Sequence, residues 1–115
     1  MDLSERRRLY VRKLEESLDK VVRTLSPMPE VERIILFGSF ARGRRDLLTD
    51  LDILVVMQTE LPFIERLKFL YQTLDLPVDA DIICYTPEEF EALKEGPFLK
   101  KALKEGIVLY EKEPA

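Results

Sequence analysis

The chain has 115 residues, 46% of them apolar and 35% charged, with a net charge of −4. That length makes one domain with a modest core, and the acidic balance argues against a broad electrostatic surface for nucleic acid. No histidine is present, which excludes His-based acid–base catalysis and His metal ligation, and the single Cys84 excludes an internal disulfide framework.

The first residues, Met1-Asp2-Leu3-Ser4-Glu5, lack the layout of a signal peptide, and no apolar run is long enough to span a membrane. A cytoplasmic protein is expected. Asp2 or Ser4 can cap a first helix over 3–25, with Glu5 in its first turn. Leu14, Leu18, Val21, Val22 and Leu25 recur at helical spacing and give that helix one core-facing stripe. Its basic residues, Arg6, Arg7, Arg8, Arg12 and Lys13, interleave with Glu5, Glu15, Glu16 and Asp19, so they read as a solvated face. Ser26-Pro27-Met28-Pro29 ends the helix.

A first strand is expected over Val31 to Phe37 and a second over Asp50 to Met57, both apolar runs. Between them Gly38-Ser39-Phe40-Ala41-Arg42-Gly43 leaves room for about one helical turn. Pro62 suits the first turn of a next helix, whose buried face is expected to carry Phe63, Ile64, Leu67, Leu70, Tyr71 and Leu74. A helix between two apolar strands implies a crossover and a mixed or parallel sheet. A third strand is expected over Val78 to Tyr85, with Asp79 and Asp81 on one face.

Thr86-Pro87-Glu88-Glu89 then combines an N-cap, Pro at the first helical position and a capping-box glutamate. Phe90 and Leu93 of that helix are expected to face inward, and Gly96-Pro97 breaks it. A short helix over Phe98 to Glu105 stops at Gly106, and Ile107 to Tyr110 makes a last edge strand. Cys84 reads as a small buried hydrophobe.

Chemistry concentrates where the first two strands end. Asp50 and Asp52 are two apart in a strand, so they point the same way at about 7 Å. Carboxylates in a segment of Leu, Ile and Val need pairing, hydrogen bonds or a cation. Mg2+ takes one or two carboxylates plus substrate phosphates. A Gly-Ser turn lets backbone N–H groups and a hydroxyl approach those phosphates.

Gly38-Ser39 after a hydrophobic strand, followed at family spacing by Asp50-Leu51-Asp52, resembles the nucleotidyltransferase superfamily related to DNA polymerase beta. Within it the chain is closest to the minimal nucleotidyltransferases. The resemblance runs from about residue 31 to residue 90 and implies an α/β (α+β) fold, a small mixed sheet with helices around it. It implies one minimal domain over 1–115: the first helix 3–25, a catalytic core 31–95, and a C-terminal helix and edge strand 97–110. It also implies a third carboxylate from a later strand. Asp81 matches by its place in Asp81-Ile82-Ile83-Cys84-Tyr85-Thr86-Pro87, and Asp79 stays open should the register shift.

By the same resemblance, Asp50, Asp52 and Asp81 are the catalytic and metal-binding residues, holding two Mg2+ ions at the ~4 Å separation of two-metal sites. Gly38 and Ser39 would bind the nucleotide. Arg42, three residues past the serine, returns toward the phosphates after one helical turn and reads either as a nucleotide-binding guanidinium or as a surface residue. Arg44 and Arg45 read as surface residues. The implied reaction transfers a nucleoside monophosphate, AMP from ATP, to a hydroxyl. Minimal members commonly pair with a helical HEPN toxin and adenylylate its tyrosine, so the expected protein is an antitoxin that forms a hetero-oligomer. The alternative is a non-catalytic antitoxin or nucleotide-binding module that neutralises its partner by complex formation. Neither membrane attachment nor strong nucleic-acid binding is expected.

Overall fold

The computed structural model describes residues 1–114. In chain order it contains α1 (Leu3–Leu25), β1 (Val31–Phe37), α2 (Gly38–Ala41), β2 (Leu51–Met57), α3 (Phe63–Leu74), β3 (Ala80–Tyr85), α4 (Pro87–Leu93), α5 (Pro97–Glu105) and β4 (Ile107–Glu111). The strands form one sheet in the order β3-β2-β1-β4. β1 runs antiparallel to β2 and to β4, and β2 runs parallel to β3 across the α3 crossover. The sheet is mixed, as the apolar–helix–apolar pattern demands.

Alternation along the strands divides the core in two. Ile34 and Leu36 of β1, Ile53 and Val55 of β2, and Ile82 and Cys84 of β3 point to one face, where Leu14, Val21 and Leu25 of α1 and Leu70 and Leu74 of α3 cover them. Ile35, Leu54 and Val56 point to the other, under Phe90 of α4 and Leu99 of α5. Helices on both faces explain the unbroken apolar runs Ile34 to Phe37 in β1 and Ile53 to Met57 in β2. Cys84 is buried and free, and burial pushes its thiol up to about 11.

Local signals set most boundaries. Asp2 caps α1, its carboxylate accepting from the Glu5 N–H at 2.8 Å. At α4 the capping box closes in both directions: Thr86 Oγ1 accepts from the Glu89 N–H, and Glu89 accepts from the Thr86 N–H. Gly106 ends α5 without a left-handed φ; a Cβ there would collide with the carbonyls of Ala102 and Leu36, so glycine serves the close approach of α5 to β1. Among the described residues, no helix is long and apolar enough to cross a membrane.

Three expectations need correction. Phe63, Ile64 and Tyr71 are exposed, whereas Arg66 of the same helix is buried. The Arg66 guanidinium satisfies itself on Glu89 at 2.7 Å and on the carbonyls of Leu61 and Cys84, which makes its burial tolerable. Tyr71 lies over the free edge of β3, its hydroxyl donating to Ala80 O and accepting from the Ile82 N–H. Leu93 is exposed because α4 is only two turns long and presents Phe90 alone to the sheet. Finally, β2 and β3 begin at Leu51 and Ala80, so Asp50 and Asp79 lie just outside their strands.

Candidate active site

β1 ends where Gly38 adopts φ +76°, in the left-handed region that favours glycine. A Cβ at this position would strike the Asp52 carboxylate. Gly38 therefore allows the turn to press directly on Asp52, which sits opposite Phe37 in the β1–β2 register. Ser39 follows, half-buried, in the single turn of α2. Gly43, at φ +104°, reverses the chain after that turn.

The connection to β2 is pinned by its own side chains. Arg45 lies over the Phe40 ring, 3.5 Å from its centroid, and donates to the Phe40 carbonyl at 2.7 Å. Arg44 pairs with Asp46 at 2.8 Å. Asp46 in turn accepts from the Leu48 N–H and the Thr49 hydroxyl. Thr49 is fully buried, and its carbonyl accepts from the Tyr10 hydroxyl of α1 at 2.6 Å. Asp50 is the next residue, so a network from α1 fixes its backbone.

Asp52 and Asp81 are Cα partners across the parallel β2–β3 pair. Strand parity puts both on the face covered by α4 and α5. Burial raises the Asp52 pKa from its ordinary value; the Asp50 and Asp81 charges raise it further, and Arg42 opposes them. Asp52 therefore sits in the field of both other carboxylates.

Three oxygen-donor side chains of one sign suit a hard divalent cation, which would relieve their repulsion. Among the described residues, no three such side chains are gathered tightly enough to hold an ion alone. Mg2+ does not need such a cage, because substrate phosphates complete its shell.

Asp79 sits beside the start of β2, next to Asp50. It is one residue ahead of β3, and its carbonyl accepts from the Leu51 N–H at 3.4 Å. Burial raises the Tyr10 pKa, and the charges of Asp79 and then Asp50 raise it further, whereas Asp52 feels Asp50 and Asp81.

Residues 19–115 match the family described as Polymerase beta, Nucleotidyltransferase. The chain belongs to that family. A proposed protein adenylyltransferase of Methanocaldococcus jannaschii is 29% identical over 100 residues, covering 83% of this chain and 92% of that protein. A second from the same organism is 35% identical over 82 residues, covering 70% and 79%. A proposed nucleotidyltransferase of Sulfolobus solfataricus superposes with a TM-score of 0.62 at 22% identity, covering 91% of this chain and 86% of that one. A chain in the crystal structure of a mutant MntA–HpeT toxin–antitoxin gives 0.54 at 25% identity, with coverage of 86% and 73%. A chain in a Shewanella oneidensis complex of tri-AMPylated HEPN toxin with MNT antitoxin gives 0.52 at 20% identity, again covering 86% and 73%. The fold is thus the nucleotidyltransferase fold.

Beside Asp52 the nucleotidyltransferase has a cleft of about 260 Å³ between α2 and α5. Gly38, Arg42 and Asp52 line one side; Phe98, Lys101 and Glu105 line the other. Arg42 caps α2 and meets Glu105 at 3.4 Å across the opening. The α5 residues escape a motif search because no fixed spacing ties them to the carboxylates. Their only signal is the i, i+3, i+7 pattern of Phe98, Lys101 and Glu105, which places them on one helix face.

Proposed function

We propose that this nucleotidyltransferase transfers AMP from ATP to a tyrosine hydroxyl of a HEPN-type partner, and so acts in the cytoplasm as an antitoxin. One observation carries the reading: Asp52 stands opposite Asp81 across β2 and β3, two residues after Asp50, with the glycine turn at Gly38 pressed against its carboxylate. The names of the Methanocaldococcus relatives and of the toxin–antitoxin neighbours support the choice of AMP and of partner.

In this reading Asp50, Asp52 and Asp81 would hold two Mg2+ ions. Bound there, the metal would neutralise charge developing on the triphosphate. Ser39 and the backbone at Gly38 cradle the β- and γ-phosphates. Arg42 exchanges Glu105 for a phosphate, which a guanidinium engages bidentately. Asp81 takes the proton of the attacking hydroxyl. A new bond forms between that oxygen and the α-phosphorus, the bond to the bridging oxygen breaks, and pyrophosphate leaves. One small domain presents the nucleotide, and the partner supplies the acceptor.

The test mixes the purified protein with Mg2+, α-labelled ATP and the product of the neighbouring gene, and follows label by gel and mass spectrometry. Label on a partner tyrosine, lost in Asp52→Asn, is the expected result. A stable complex with no label would move the assignment to an antitoxin that works by contact. Equal label with wild type and Asp52→Asn would remove catalysis from this site.

A further inference from the structure

Resting on that reading, we infer that Lys101 of α5 is a second cation for the triphosphate tail, and that Glu105 holds Arg42 aside until nucleotide enters the cleft. Arg42 and Lys101 are the two cations on the cleft wall, facing each other from α2 and α5. Arg42 is occupied by Glu105 at 3.4 Å, with both side chains partly exposed. Such a pair is weak and screened. Lys101 is exposed and takes part in none of the ion pairs found among the described residues.

A polyphosphate carries more charge than one carboxylate and offers oxygens to both cations, so it displaces Glu105 from Arg42. The backbone that carries Lys101 is held in place. Leu99 and Ala102 bury the inner face of α5, and the Gly106 close contact locks its end against β1. Phe98 stacks edge-on against Phe37 at 5.6 Å and gives the cleft an apolar wall. Glu105 has a cost as well as a use. Once Arg42 has turned to phosphate, its carboxylate remains beside an anion and weakens nucleotide binding.

The test is calorimetric titration of the full chain with ATP, inorganic tripolyphosphate and adenosine, in the presence of Mg2+. Lys101→Ala should weaken ATP and tripolyphosphate together by about fivefold to tenfold and leave adenosine unchanged, with Lys101→Arg restoring most of the loss. Glu105→Gln should tighten both phosphate ligands by about threefold, and both effects should shrink as salt rises. If Lys101→Ala and Glu105→Gln bind both phosphate ligands as wild type does, while Gly38→Ala loses them, α5 plays no part and the nucleotidyltransferase reading stands. A wild type that binds neither ATP nor tripolyphosphate overturns both.

Discussion

Asp52 and Asp81 stand directly opposite each other on neighbouring parallel strands. They are 29 positions apart in the chain, yet the α3 crossover brings them within one inter-strand spacing, about 4.8 Å. Asp50 adds a third charge from the loop that α1 holds through Tyr10. The cluster is electrostatically unfavourable without a counter-charge, and that conflict is what a metal–triphosphate complex would resolve.

Removing the conflict at its centre should separate stability from activity. The native Asp52 pKa is raised, so the folded chain holds this proton more tightly than the unfolded chain. That contribution is complete below the unfolded pKa and is lost as pH rises through the native one. Asp52→Asn should therefore raise the metal-free melting temperature at pH 7, with the gain vanishing in acid. AMP transfer should fall by about 100-fold or more. Scanning calorimetry at several pH values, beside the labelling assay, checks both.

Gly38→Ala should be damaging in both respects. The left-handed backbone alone costs about 1–2 kcal/mol for a residue with a side chain, and the new methyl group meets the Asp52 carboxylate. Urea denaturation should show at least that loss. ATP affinity should drop further than stability explains, because Asp52 must move.

Tyr10→Phe tests the brace on Asp50. Losing the 2.6 Å bond to the Thr49 carbonyl should cost about 1 kcal/mol. The transfer rate should fall more than the melting temperature implies, since the loop carrying Asp50 is loosened. The raised pKa of Tyr10 adds a direct readout: its absorbance titration should come later than that of an unperturbed tyrosine, and the late component should vanish in the variant.

Glu89 couples two local devices, closing the α4 capping box and neutralising buried Arg66. The Arg66 hydrogen bond, aided by the Thr86 N–H, lowers the Glu89 pKa. Its stabilisation is therefore present above the unfolded carboxylate pKa and disappears as pH falls through the depressed native value. Glu89→Gln should reduce stability at pH 7 by about 1–2 kcal/mol, in keeping with loss of a charge-assisted hydrogen bond. Its stability should also depend less on pH than that of wild type in the acid range, as chemical denaturation at stepped pH would show.

Much of the fold was legible because its signals are local. The caps at Asp2 and Thr86, the breaks at Pro27 and Gly96-Pro97, and the apolar runs around Ile35 and Leu54 each act within a few residues, and the helices and strands follow them closely. Asp50-Leu51-Asp52 after Gly38-Ser39 was legible for the same reason, since a fixed spacing expresses a turn between two paired strands. Side-chain environment was less legible. An apolar stripe cannot show that Tyr71 will cover a sheet edge or that Arg66 will be buried on Glu89, because both depend on partners distant in sequence. The same holds at the site. Sequence named Asp50 and Asp52 and left Asp79 beside Asp81; the strand register put Asp81 opposite Asp52 and Asp79 outside the strand. Phe98, Lys101 and Glu105 joined the cleft only because α5 packs back over the end of β1, a placement set by burial of Leu99 and the close contact at Gly106. Local chemistry wrote the elements and the first two carboxylates into the chain, and long-range packing decided what faces them.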